Sequence, residues 1–237
     1  MQIITLSPIG FGSNTYILTA DNKTAVVIDP SQPRVKDALA KHGLKATHVL
    51  LTHGHFDHVG GIADLQANGA QVICSVEEAK LVGTEADAFH LAGIPRVEYT
   101  VDKTLEDGET VQLSGIEIKL IFTPGHTAGC ACYLVKTDEG EVLFTGDTLF
   151  AGSIGRTDLP TGNLKTLRQS LKKLAALTED YPIYPGHEEG DAEGKMICEY
   201  LSGLSRFKVC ATKVNILNSP NSPYFIIVER KIKRERA

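Results

Sequence analysis

Three imidazoles and a carboxylate fall within six residues at His53-Gly54-His55-Phe56-Asp57-His58. Histidine is costly to bury without a partner and weakly favoured in any regular element, so packing does not account for such a cluster. Metal ligation does. His53 and His55, two apart in an extended segment, point the same way, whereas Asp57 and His58 turn towards a neighbouring position as the chain enters a helix. Two adjacent metal ions are the expectation. The same grammar of an apolar run, a glycine-containing turn and a potential ligand recurs at three further places. Leu120-Ile121-Phe122-Thr123-Pro124-Gly125 delivers His126, Val142-Leu143-Phe144-Thr145-Gly146 delivers Asp147, and Tyr181-Pro182-Ile183-Tyr184-Pro185-Gly186 delivers His187. In layered α/β folds the loops at strand ends converge on one crevice, which gives all seven side chains a common address. Singly, His126 or His187 reads as a structural histidine and Asp147 as a turn residue. Together with the cluster they read as ligands, while His42, His48 and His90 lack that context and read as structural.

The elements that must carry these residues are legible in outline. Tyr16-Ile17-Leu18, Ala25-Val26-Val27-Ile28, Val49-Leu50-Leu51, Val72-Ile73, Ile116 to Phe122 and Val142-Leu143-Phe144 are strand candidates on their β-branched and aromatic content. Pro33 to His42, closed by Gly43, has the end residues of a helix. Leu164, Leu167, Leu171, Leu174 and Leu177 recur at spacings of three and four, with Lys172 and Lys173 opposite, and predict an amphipathic helix whose leucines are packing. The alternation of strands and helices over residues 1–206 is that of a layered α/β domain. Beyond Arg206 the composition turns basic and includes the turn-rich Asn218-Ser219-Pro220-Asn221-Ser222-Pro223, so residues 207–237 are expected to be a solvated basic appendage, in which the apolar run Tyr224-Phe225-Ile226-Ile227-Val228 could form an edge strand or an aggregation-prone segment.

Composition narrows the partners. The 24 Lys+Arg against 29 Asp+Glu give a net charge of −5, and no basic stripe interrupts the first two hundred residues, which argues against nucleic acid. No apolar run approaches the ~18 residues of a membrane span, and Met1-Gln2-Ile3-Ile4-Thr5 lacks the flank of a signal peptide, so a cytoplasmic protein is expected. The five cysteines, Cys74, Cys130, Cys132, Cys198 and Cys210, include no C-x-x-C pair and read as reduced thiols. Cys130 and Cys132 would share one face of a strand as small packing residues.

The segment His53-Gly54-His55-Phe56-Asp57-His58, followed in order by His126, Asp147 and His187, resembles the metallo-β-lactamase superfamily over roughly residues 1–190. The resemblance implies a four-layer αββα sandwich with the metals at one edge of its two mixed sheets. Thr123-Pro124-Gly125-His126-Thr127 and the stretch Gly146 to Asp158, with Gly155-Arg156-Thr157-Asp158, look like the glyoxalase II-like hydrolases of that superfamily, in their short single-domain form. By that likeness His53, His55 and His126 hold a first metal, Asp57, His58 and His187 a second, and Asp147 bridges them. Arg156 and Asp158 would brace the loop behind the ligands. The likeness implies two divalent ions, zinc first with iron or manganese as alternatives, and a small-molecule thioester such as a hydroxyacylglutathione as substrate. Bound zinc lowers the pKa of water to ~7, and a thiolate leaves readily, so hydroxide attack needs no dedicated general acid; Asp57, His58 and Asp147 would be the catalytic residues. The alternative implied by the same scaffold is a mononuclear iron persulfide dioxygenase, and after it a lactonase or other hydrolase. After His187 the chain runs Glu188-Glu189-Gly190-Asp191 and departs from the family's usual Gly-x-x-Thr-Thr-x-Gly-x-Glu.

Overall fold

The computed structural model describes residues 1–150, 153–177, 179–187, 211–215 and 227–230. In chain order its elements are β1 (Gln2–Leu6), β2 (Thr15–Thr19), β3 (Thr24–Ile28), α1 (Val35–Lys41), β4 (Lys45–Leu50), α2 (Phe56–Val59), α3 (Ile62–Ala67) and β5 (Gln71–Ser75). There follow α4 (Val76–Ala79), a short 3-10 turn, α5 (Phe89–Ala92), β6 (Lys103–Leu105), β7 (Thr110–Leu113), β8 (Ile116–Phe122), β9 (Ala131–Thr137) and β10 (Gly140–Gly146). The last are β11 (Leu149–Phe150), β12 (Ser153–Ile154), α6 (Leu164–Ala175), β13 (Ile183–Pro185), β14 (Ala211–Asn215) and β15 (Ile227–Arg230).

Two mixed sheets dominate, one in the order β1-β2-β3-β4-β5-β6 and the other β13-β10-β9-β8-β7. The period-2 alternation of each strand divides its apolar residues between two faces. Tyr16, Leu18, Val26, Ile28 and Leu50 face the second sheet, where Ile118, Leu120, Tyr133, Val135 and Phe144 meet them in the central core. Ile17, Val27, Val49 and Leu51 point the other way, against Val35 and Leu39 of α1 and Ile62 and Leu65 of α3. On the far side of the second sheet Cys132, Leu134 and Leu143 pack against Leu167, Leu171 and Leu174 of α6. Three apolar interfaces therefore separate four layers, the αββα sandwich expected from the likeness. Strands buried on both faces explain why their sequences read as continuous apolar runs rather than alternating ones.

Three details differ from, or sharpen, the sequence reading. The leucine stripe extends to Leu177, but α6 ends at Ala175, and Leu177 closes a turn onto the carbonyl of Leu174. Cys130 precedes β9 and so does not share its face with Cys132; its Sγ instead accepts from the Thr127 amide and hydroxyl at 3.3 and 3.2 Å. Both thiols are buried, and burial pushes that of Cys132 up to about 11, as befits packing residues. Within the stretch read as a basic appendage, β14 and β15 pair antiparallel, and β15 overlaps the apolar run that could form a strand. The departure after His187 and the turn-rich segment 218–223 lie outside the described residues. Among the described residues no helix is long and apolar enough to cross a membrane.

Candidate metal centre

All seven candidate ligands sit on the segments that follow strands of the two sheets, five in loops and Asp57 and His58 in the short helix α2, at one edge of the sandwich. β4 ends at Leu50 and is followed by the extended His53 and His55; the chain then turns into α2, which carries Asp57 and His58. β8 leads to His126, β10 to Asp147 and β13 to His187. The glycine before each ligand has a steric reason where it is tested hardest. Gly146 holds φ +47°, and a Cβ there would lie 2.3 Å from Thr52 Oγ1; a Cβ on Gly186 would lie 2.3 Å from Asp147 Oδ1. Neither gap admits a methyl group, so any other residue would push Asp147 and His187 off the site.

The ligand atoms gather into three overlapping groups, His53 with His55 and His126, His53 with His58 and Asp147, and Asp57 with His58 and His187, each with its atoms within 4.8 Å of one another. Asp147 reaches across them: its Oδ1 lies 3.3 Å from His58 Nε2, and its Oδ2 lies 3.4 Å from both His126 Nε2 and His187 Nε2. Asp57 Oδ2 lies 3.1 Å from His187 Nε2.

These groups fit a pair of cations on two grounds. Nε2 of His53 and of His55 are buried without a hydrogen-bond partner, and His58 Nε2 and Asp147 Oδ1 have only each other, at 3.3 Å. Each such orphan costs about 1–3 kcal/mol, a penalty that native interiors avoid unless something else binds there. The protonation pattern also fits. Burial, reinforced by the neighbouring imidazoles, holds His53 well below its usual range and His55 down at about 3, so both present lone pairs. Burial opposes charge at His58 and His187 too, but Asp147, Asp29 and Asp57 outweigh it for His58, and hydrogen bonds to Asp147 and Asp57 raise His187 to about 9. Against the same desolvation, His58 and His187 hold Asp57 and Asp147 ionised below the carboxylate range. The second group thus stores protons that a dication would displace.

Behind the ligands stand residues that the sequence reading missed. Asp29 Oδ2 accepts from His58 Nδ1 at 2.9 Å and from the Thr52 hydroxyl at 2.6 Å, while its Oδ1 takes the Thr52 amide at 2.8 Å. It follows the apolar run of β3 as directly as the ligands follow theirs, which is a signal the sequence did carry. Glu78 had none. Ser75-Val76-Glu77-Glu78 reads as a capping box on a solvated turn, and Ser75 does cap the Glu78 amide at 3.0 Å. Yet the Glu78 carboxylate turns inward to accept from the Gly54 amide and the Thr127 hydroxyl, both at 2.8 Å, tying the loops of His53, His55 and His126 together. Burial pushes it up to about 7 against those two donors. His126 Nδ1 donates to the Arg156 carbonyl at 2.7 Å, and the Arg156 guanidinium grips Asp158 through two bonds of 2.7 and 2.8 Å, so the loop bearing that pair orients a ligand through its backbone.

The Asp29 contact makes a sharp prediction. In Asp29→Asn the amide nitrogen facing His58 Nδ1 can only donate, which forces the imidazole proton onto Nε2, the atom aimed at Asp147 and the metal groups. Metal affinity at the group of Asp57, His58 and His187 should fall about 10- to 100-fold, with that of His53, His55 and His126 retained. Chelator competition reads the two steps separately; equal loss at both, or none, would refute the tautomer argument.

An αββα sandwich with buried histidines and carboxylates converging at one sheet edge is the architecture of the metal-binding metallo-hydrolases. The chain belongs to the metallo-β-lactamase superfamily, whose family model matches residues 8–187. Over 194 residues it is 34% identical to "Hydroxyacylglutathione hydrolase GloC" of Haemophilus influenzae, covering 79% of this chain and 91% of that protein. Of solved structures, BLEG-1 B3 metallo-β-lactamase superposes with a TM-score of 0.71 at 28% identity, over 79% of this chain and 92% of that one. TTHA1623 in a di-iron-bound form superposes with a TM-score of 0.66 at 34% identity, over 80% and 93%. A second family model, "Putative rRNA methylase", matches residues 159–230, most of them beyond the metal centre.

Proposed function

We propose that this protein hydrolyses a small-molecule thioester of the hydroxyacylglutathione type, with two divalent ions, zinc or iron, held by His53, His55 and His126 on one side and Asp57, His58 and His187 on the other. Bound there, such ions supply an acidified water and an electrophile for the substrate carbonyl. The observation that carries the reading is the position of Asp147, whose two oxygens lie 3.3–3.4 Å from histidines of both sets. The 34% identical relative named as a hydroxyacylglutathione hydrolase supports the same reaction class.

The chain's own part is to orient and to hold charge. Asp29 fixes His58, the Arg156 carbonyl fixes His126, and Glu78 fixes the backbone between His53 and His55. Asp57 lines the cleft, and its Oδ2 lies 3.1 Å from His187 Nε2, so it holds His187 in place and supplies negative charge to that side of the site; a thiolate leaving group needs no acid. A mononuclear iron persulfide dioxygenase would employ only the first set. The second set here is complete and braced by a further buried carboxylate, Asp29, an arrangement that favours the hydrolytic reading.

S-lactoylglutathione should therefore be cleaved with one thiol released per acid formed and no oxygen consumed. Oxygen uptake driven by glutathione persulfide, together with no thiol release from any thioester, would overturn this assignment in favour of the dioxygenase.

A further inference from the structure

Beside the metal centre lies a cleft of about 610 Å³, within the size range of small-molecule sites. Its walls are Phe11 from the β1–β2 loop, Phe56 of α2, and Phe89, Leu91 and Ile94 on and after α5. Three of these stand unusually open: Phe11 is 89% exposed, Leu91 57% and Ile94 47%. Single exposed apolar residues need no explanation, but several converging on one concave surface do. The cleft runs directly into the ligand set, because Asp57 is part of its lining, and so is Arg156, whose carbonyl holds His126. Its charged groups are both spoken for. Asp57 faces His187, and the Arg156 guanidinium is held by Asp158.

From this juxtaposition we infer that the cleft binds an apolar acyl chain, so that the preferred substrates are thioesters of medium-chain aliphatic or aromatic acids rather than of lactate. The inference rests on the thioester reading above and deepens it. A lactoyl group offers one methyl and a hydroxyl and would leave the aromatic walls wet. The acyl side is assigned because the thiol carrier departs with a negative charge, which open solvent accepts and an apolar cleft disfavours where the one cation among its described residues, Arg156, is held by Asp158. The carbonyl then lies at the Asp57 end and the chain runs between Phe11 and Leu91.

The test is a series of glutathione thioesters from acetyl to octanoyl on the metal-loaded protein, with S-octyl thiolactate as the carrier-side control. Each added methylene should raise kcat/KM about two- to fourfold until the cleft is filled. Leu91→Asn and Ile94→Asn change exposed positions and should leave melting temperature and metal content alone, while reducing the octanoyl-to-acetyl ratio about tenfold. Calorimetric titration with octanoate should show binding that the two variants weaken and that lactate does not match. A flat series on an active enzyme overturns the inference but leaves the thioester reading standing, and a gain confined to S-octyl thiolactate overturns the acyl assignment. If no thioester is cleaved, the hydrolase reading fails, and the octanoate titration alone decides the cleft: no binding, or binding indifferent to Leu91 and Ile94, overturns it.

Discussion

Asp147→Asn should strip this protein of most of its metal and lower turnover by about a thousandfold or more. The substitution keeps volume and shape, so the change is one of charge. In the folded chain the Asp147 carboxylate is buried, and His58, His126 and His187 crowd it at 3.3–3.4 Å. Removing its charge leaves Asp57 as the one carboxylate among the seven candidate ligands, against the two dications of the proposed centre. It also replaces one of the two oxygens that lie 3.3–3.4 Å from histidines of both sets by an amide nitrogen, which has no lone pair to offer a metal. Loss of the activation that a bound metal supplies is worth several kcal/mol, and each 1.36 kcal/mol is a tenfold change in rate. Elemental analysis after dialysis and a thioester assay test both halves of the expectation. A variant with two metals per chain and near-native turnover would remove Asp147 from the centre of this scheme. A second consequence follows on the histidines. Both His58 and His187 are raised largely by this carboxylate, so their protonation should move down in Asp147→Asn, which NMR titration of the ring protons would follow in the metal-free protein.

The largest structural effect should come from Phe144→Ala. Phe144 is fully buried between the sheets, edge-on to Tyr16 with ring centroids 5.0 Å apart and stacked on Tyr184 at 4.9 Å. Emptying that position costs the transfer free energy of the ring plus the cavity it leaves, about 3–5 kcal/mol for a phenylalanine in a core. In a domain of this size that corresponds to a melting temperature lower by roughly 10 °C. The effect should also reach the metal centre. Tyr16 donates from its hydroxyl to the Pro185 carbonyl at 2.6 Å, and Tyr184 and Pro185 belong to β13, the strand that delivers His187. The second metal should accordingly be lost at lower chelator concentration than in the native protein, even at temperatures where the variant is folded. Denaturant titration with and without metal separates the two effects. A loss below about 1 kcal/mol would mean that the aromatic cluster repacks around the gap, contrary to the close packing that interiors maintain.

What could be read from residues alone divides along a physical line. Strand runs such as Ala25 to Ile28 and Ile116 to Phe122 were legible because β-branched content is a local property, and the Leu167, Leu171 and Leu174 stripe because helical periodicity is one too. The candidate ligands were legible because a histidine or aspartate placed straight after an apolar run and a turn advertises a strand-end loop. Asp29 follows the same rule, but it stood without a histidine neighbour and passed unnoticed. Glu78 could not have been found this way, since its inward turn depends on Gly54 and Thr127, 24 and 49 residues distant in sequence. The ends of elements were blurred where side-chain pattern outran backbone geometry, as at Leu177.

The sequence by itself therefore determined which groups could bind metal and where the most apolar strands and the long amphipathic helix lie, while the two stacked sheets were an expectation from the family likeness. Tertiary structure alone decided which histidines share a carboxylate, which buried acids stand behind them, and that five apolar residues from three separate segments form one cleft beside Asp57. The reason is that ligand type and hydrophobic period are encoded within a few residues. Burial, protonation and cavity shape arise only when segments tens of residues apart are brought to within about 4 Å, the range at which hydrogen bonds and dispersion act.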